Sequence, residues 1–161
     1  MASVFLAAAR ALEATVEIVL VDDGERPLAR GLVEIERIRV VAGLRAGAGA
    51  ARATGLAAAR GELIAWCDDD DAWTPLHLRT LLDAWRASPE VALVFGDPAW
   101  RAAESTPDGG IAAREPPLRL PEFAAASRIH ASDALHRAEA SRDVGGFDPS
   151  LRAYEDIDLW L

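Results

Sequence analysis

The apolar positions of this chain come in short bursts, each cut off by acids, glycine or proline. Val16 to Val21 (VEIVLV) is rich in β-branched residues and stops at Asp22-Asp23-Gly24, the pattern of a buried strand. Ile35 to Val41 (IERIRVV) alternates apolar and polar residues and reads as a second strand. Glu62 to Cys67 (ELIAWC) forms a third, halted by four consecutive aspartates, and Val91 to Phe95 (VALVF) a fourth, closed by Gly96-Asp97-Pro98. Helical stretches lie between them. Residues 3 to 14 are rich in alanine and leucine. A glycine-spaced loop enters an alanine-rich helix over Gly49 to Arg60, with Gly61 placed as its C-cap. Thr74-Pro75 supplies an N-cap and a first-turn proline for a helix reaching Ala87, which Ser88-Pro89 ends.

Trp100 to Pro121 mixes proline, glycine and charge without a period and reads as a loop or insertion. Beyond it, SRIHASDALHRAEASRDVGGF predicts a strand, a short helix and a Gly-Gly turn, and YEDIDLWL the first turns of a final helix. Strands alternating with helices predict an α/β fold: a mostly parallel sheet with helices on both faces. Ligands bind such sheets beyond the carboxyl ends of the strands. Asp22-Asp23, Asp68 to Asp71 and Asp97 all follow strands, so the acids gather along one edge.

Composition narrows the partners. A length of 161 residues suits one domain, 1–161, and 51% hydrophobic with 27% charged residues fits a globular chain. A formal net charge of -9 speaks against nucleic acid and anionic membranes as partners. All 17 basic residues are arginine, which excludes any mechanism built on lysine. The single Cys67 excludes an internal disulfide and a multi-cysteine zinc site. No apolar stretch is long enough for a membrane span, and the N-terminus lacks a signal-peptide layout, so the expected compartment is the cytoplasm.

Four adjacent carboxylates repel one another, and a cation relieves that repulsion. Asp68 to Asp71 offer hard oxygen ligands of the kind Mg²⁺ and Mn²⁺ prefer. If the extended backbone persists, Asp68 and Asp70 face one side and Asp69 and Asp71 the other. The competing account is a solvated acidic turn, with Asp71 helping to start the helix near Thr74. Asp22-Asp23-Gly24 reads equally as a turn. Gly47-Ala48-Gly49 before a helix can cradle phosphate on backbone N–H groups, and close loop packing explains it at least as well. Glu155-Asp156, with Asp158, suits a helix N-terminus. His77, His130 and His136 have no partners at ligand spacing, and the five tryptophans read mainly as packing residues, with Trp73 and Trp160 flanking the acids.

Taken in order, four segments resemble the catalytic domain of family 2 glycosyltransferases, which has the GT-A fold: VEIVLVDDG (16–24), AGAGAARATGLAAARGELIAWCDDDDAWTPLHL (46–78), VGGFDPSL (144–151) and YEDIDLWL (154–161). The resemblance implies a nucleoside-diphosphate sugar as donor, a glycan, lipid or other hydroxyl as acceptor, and Mn²⁺ or Mg²⁺ as cofactor. It implies nucleotide contacts from Asp23 and Asp22, from Arg52 after the glycine loop, and from Asp69. It implies Asp68 and Asp70 as metal ligands and Asp156 as the general base of an inverting transfer.

The chain departs from the family pattern in places. Only 15 residues precede Val16, so the chain begins almost within the family's first helix and lacks the usual first strand, and it stops just after the Glu-Asp pair. The expected domain is therefore shortened at both ends. Glu25-Arg26-Pro27 replaces the usual Ser-x-Asp continuation, and Ala53 replaces the asparagine that commonly follows the arginine. Two rivals accompany the transferase reading. One is a degenerate GT-A domain that binds nucleotide or a partner without turnover. The other is a phosphatase with an Asp-x-Asp motif, which the absence of lysine and the Ala72-Trp73 sequel weaken.

Overall fold

The computed structural model describes residues 14–25, 38–71, 73–74, 76–96 and 129–161. The predicted helix over 3–14, the loop Trp100 to Pro121 and Asp97 fall outside these residues, wholly or almost so. The β-branched burst becomes strand β1 (Ile18–Asp22), which pairs in parallel with β2 (Ile38–Ala42), Ile18 opposite Ile38 and Asp22 opposite Ala42. Helix α1 (Ala48–Ala58) packs on β1, and its small residues allow a close approach. Then come β3 (Leu63–Ala65), α2 (His77–Ala87) and β4 (Leu93–Phe95). A 3₁₀ turn at Ala131–Asp133 leads into β5 (Ala134–Arg137), α3 (Ala138–Asp143) and α4 (Glu155–Trp160).

The fold is α/β, as predicted, and its second ladder adds a feature the pattern did not reveal. β5 lies between β3 and β4 and runs antiparallel to both, so β3 and β4 share a direction without being hydrogen-bonded to each other. Ala134, Leu135 and His136 of β5 are all buried. A strand covered on both faces loses the alternation that would have revealed its register.

Element ends differ from expectation in instructive ways. Gly61 does not cap α1; Ala59 ends the helix in extended backbone, its N–H bonded to the Gly55 carbonyl. Glu17 takes over the neighbouring donors, accepting from the backbone N–H groups of Arg60 and Gly61. Thr74 is not the N-cap of α2; its carbonyl accepts from the His77 N–H in a preceding turn, and Leu76 is the cap. The apolar stripe of α2 behaves as its sequence suggests, with Leu81 wholly buried, worth about 2 kcal/mol of apolar transfer.

The main core cluster joins Leu56 of α1, Ile64 of β3, Ala138 of α3, Phe147 and Leu159 of α4, with Trp66 and Trp160 packed against it. His136 is buried among these aromatics, with 2% exposure. Trp66 stacks on it at 6.1 Å, and Trp160 meets it edge-on at 5.0 Å. The Trp66 indole N–H donates to His136 Nε2 at 2.8 Å, which leaves the proton on Nδ1, facing the Ser141 hydroxyl at 2.6 Å. Burial pushes the imidazole down to about pKa 4, so it is neutral at physiological pH. This cluster anchors the segment leading to Asp68 and the helix carrying Asp156.

Candidate functional site

β1 ends at Asp22, and the next residue, Asp23, organises the loop opposite. Its carboxylate accepts the Arg45 N–H at 2.5 Å and the Gly47 N–H at 3.3 Å. Both donors belong to residues with positive φ, 55° at Arg45 and 100° at Gly47, so the carboxylate holds an otherwise unfavourable loop. Gly43 makes room for it: a Cβ there would lie 2.3 Å from Asp23 Oδ1 and 2.9 Å from its Cα. In the glycine loop, Gly47 is required by its φ of 100° and Gly49 by packing. A Cβ on Gly49 would press the Asp148 carbonyl at 3.1 Å and Glu155 at 3.4 Å.

Arg52, one turn into α1, is the centre of the site. Nη2 donates to both oxygens of Asp68 at 2.9 and 2.7 Å, and Nη1 donates to Glu155. Burial opposes the guanidinium charge, but the carboxylates of Asp68, Glu155 and Asp156 outweigh it and raise its pKa above the usual arginine value. Its Nε is buried without a hydrogen-bond partner.

The four aspartates do not continue the strand. β3 ends at Ala65, and the Asp71 N–H bonds to the Asp68 carbonyl at 3.2 Å, closing a turn. The condition for strand alternation to place Asp68 and Asp70 on one side, a persisting extended backbone, is therefore not met, and the acidic-turn alternative describes this segment. Asp69 and Asp70 are exposed, while Asp68 turns inward to Arg52. Asp71 precedes α2 by several residues and is not part of its first turn. The turn is fastened from the other side by the 3₁₀ segment. The Asp68 N–H donates to the Ser132 hydroxyl at 3.2 Å, and the Trp73 indole N–H to the Ser132 carbonyl at 2.9 Å. His77 Nε2 lies 3.1 Å from that same carbonyl, and burial lowers the pKa of this imidazole.

One pocket of about 280 Å³ collects these elements. Arg52, Asp68, Ile129, His130 and Ala131 line it together with Tyr154, Glu155, Asp156 and Ile157. Three sequence-predicted site residues, Arg52, Asp68 and Asp156, therefore share one cavity. Asp22, Asp23, Asp69 and Asp70 are not among its lining residues. Trp73 and Trp160, candidates for a pocket wall, instead pin Ser132 and pack on His136.

The sequence reading missed Tyr154. It caps α4 with φ 63° and ψ 20°, a left-handed conformation costing an aromatic residue on the order of 1 kcal/mol. It is 74% exposed at the pocket. The available signal was modest: it is the chain's sole tyrosine, immediately before Glu155-Asp156. Glu155 was also assigned nothing beyond a helix start, yet it is buried against Arg52.

Among the described residues, no group of three or more His, Cys, Asp or Glu side chains is arranged to hold a metal ion, and no helix is long and apolar enough to cross a membrane. Comparison with known proteins gives the site its context. The profile of glycosyl transferase family 2 matches residues 3–108, which include Asp22, Asp23, Arg52 and all four consecutive aspartates. The chain is 36% identical over 123 residues to the pre-mycofactocin glycosyltransferase of Mycobacterium tuberculosis, covering 70% of this chain and 25% of that protein. It is 32% identical over 85 residues to an uncharacterized glycosyltransferase of Nostoc sp., covering 49% of this chain and 26% of that protein. The chain thus spans about a quarter of the length of these curated relatives. A family profile matched over most of this chain, on an α/β scaffold that brings Asp68 and Asp156 together with Arg52, makes the chain a member of glycosyl transferase family 2, with the GT-A fold of that family.

Proposed function

We propose that this domain transfers a sugar from a nucleoside-diphosphate sugar to an acceptor hydroxyl, with inversion at the anomeric carbon. One observation carries the reading: Asp68 from the acidic turn and Asp156 from α4 line a single pocket, with Arg52 between their elements. A base and a leaving-group site must flank one reacting carbon for a single displacement. In this assignment the Asp156 carboxylate takes the acceptor proton. The acceptor oxygen bonds to the anomeric carbon as the carbon–oxygen bond to the diphosphate breaks, and the electron pair leaves with the diphosphate. Asp22, Asp23, Asp69 and Arg52 are assigned to the nucleotide.

Asp68 and Asp70 would hold Mg²⁺ or Mn²⁺. The chemistry of the donors suits such an ion, since these metals are commonly bound by one or two carboxylates, with substrate phosphates and water completing the shell, and Asp68 would exchange a bond to Arg52 for the ion. A ready-made cage of three protein ligands is therefore not required. When bound, the ion offsets negative charge on the departing diphosphate.

Calorimetric titration with UDP, GDP and dTDP, with and without Mn²⁺, tests this reading. Expected is metal-dependent binding of at least one nucleotide that is lost in Asp70→Ala. Absence of binding under every condition removes it. Asp156→Asn should abolish transfer and leave nucleotide binding intact.

A second reading is a GT-A module that binds nucleotide without turnover. It is favoured by the internal use of two assigned carboxylates, Asp23 on the Arg45–Gly47 loop and Asp68 on Arg52. Nucleotide binding without either transfer or donor hydrolysis would select it.

A further inference from the structure

We propose that Tyr154 is a stacking platform for the acceptor, and that the acceptor is a saccharide ring rather than a lipid or other acyclic hydroxyl. This rests on the transferase reading above.

Folding does not account for this side chain. Among the described residues only Arg45 and Tyr154 adopt positive φ without being glycine. Arg45 has a local reason, its N–H bonded to Asp23. The backbone at Tyr154 is fixed by its neighbours, since its carbonyl accepts the Asp158 N–H at 2.9 Å and the next residue, Glu155, is buried against Arg52. Glycine or asparagine would satisfy that backbone better than an aromatic residue. Nor does the ring contribute to the core, being 74% exposed. A large apolar side chain kept in a strained backbone and in water asks for a use outside folding.

Its surroundings supply one. Tyr154 lines the same pocket as Asp156, two positions along the chain, and as Arg52 and Asp68. Around it the pocket is mixed, with charged groups from α1, the acidic turn and α4 beside the apolar side chains of Ile129, Ala131 and Ile157. A pyranose is amphipathic in a matching way: its hydroxyls project around the ring, and its axial C–H groups form an apolar face. An aromatic face carries negative quadrupole charge and accepts such polarised C–H groups, while neighbouring carboxylates accept the hydroxyls. Because Asp156 is assigned to the acceptor hydroxyl, the ring beside it is placed to hold the acceptor sugar. The donor diphosphate belongs with the acidic turn. An acyclic alcohol offers one hydroxyl and no ring face, whereas a pyranose can use both the Tyr154 ring and the charged groups beside it.

Having a single tyrosine makes the test direct, because ring-labelled tyrosine reports on Tyr154 alone. The probes are methyl β-D-glucopyranoside, methyl α-D-mannopyranoside and methyl β-D-galactopyranoside, with glycerol as an acyclic control. Expected are shifts of the Tyr154 ring signals with at least one pyranoside and not with glycerol, and magnetisation transfer from the protein to that sugar's C–H protons. Tyr154→Gly, which suits φ 63°, should keep the fold and weaken binding of that pyranoside about tenfold, the scale of one aromatic contact. Tyr154→Phe should retain it, since stacking needs the ring and not the hydroxyl. The proposal is overturned if no pyranoside perturbs the ring, if glycerol does so equally, if the glycine variant binds as well as the parent, or if phenylalanine fails to substitute. The nucleotide titration is read separately. Nucleotide binding without a pyranoside effect removes the platform alone, and a pyranoside effect without nucleotide binding leaves a sugar site while removing the transferase assignment.

Discussion

Arg52 and Glu155 are 103 positions apart in sequence and meet in an ion pair whose side chains retain only 11% and 10% of their exposure. The pair closes α1 onto α4, and Asp68 shares the same guanidinium. A buried carboxylate left without its cation is far costlier than the intact pair is favourable.

Arg52→Met should therefore destabilise the domain by about 3 kcal/mol. The loss should appear as a lower denaturant midpoint at unchanged slope. Adding Glu155→Gln to Arg52→Met should recover part of it, because the stranded charge is then gone. An additive double mutant would refute the coupling.

Asp68 and Asp70 should separate in their effects. Asp70 is exposed, so Asp70→Asn should leave the melting temperature within experimental error and weaken Mn²⁺-dependent nucleotide binding. Asp68→Asn should do both, because it also weakens the contact with Arg52. Melting curves and titrations on the same preparations check this. Equal stability losses in the two variants would contradict the different packing of the two carboxylates.

Gly43→Ala should cost about 2 kcal/mol or more, since its methyl group would overlap Asp23 at both the side chain and the backbone. Displacing Asp23 should also release the Arg45–Gly47 loop, seen as faster amide exchange at those two N–H groups. Unchanged exchange would show that Asp23 does not hold the loop.

Acid should weaken the fold through His136. Its folded pKa, pushed down to about 4 by burial, lies below the unfolded value near 6.5. The unfolded chain therefore binds a proton first. Stability is full above the unfolded pKa and declines as pH falls from 6.5 towards 4, by about 3 kcal/mol for this one group. Unfolding free energies measured across that range, compared between the parent and His136→Gln, isolate the contribution. The variant should be less stable at pH 7 and flatter with pH.

How much of this was legible in sequence depends on distance along the chain. β1, α1 and the stop of α2 at Ser88 follow from local runs and breakers, and their centres match the prediction. The acidic residues were visible as chemistry, and Arg52, Asp68 and Asp156 do share a pocket. What could not be read was pairing. A buried glutamate at position 155 looks like any helix-start acid until Arg52 is placed beside it. His136 looks like an isolated histidine until Trp66, Ser141 and Trp160 surround it. Turn geometry stays open in sequence: DDDD after an apolar burst allows either a continued extended run or an acidic turn, and the backbone hydrogen bond from Asp71 to Asp68 makes it a turn.

The position of β5 sets the order in which this domain can become complete. β3 and β4 are made early and share no hydrogen bonds; each waits for the strand from Ala134 to Arg137, which lies beyond the 3–108 segment matched by the family profile. Until those four residues emerge, both waiting strands lack the ladder that pairs them here, and unpaired edges of this kind invite pairing between chains. A fragment cut at the end of the matched segment would thus keep every aspartate of the acidic turn and lose the strand that joins its sheet. Among the described residues, nothing else then pairs β3 with β4.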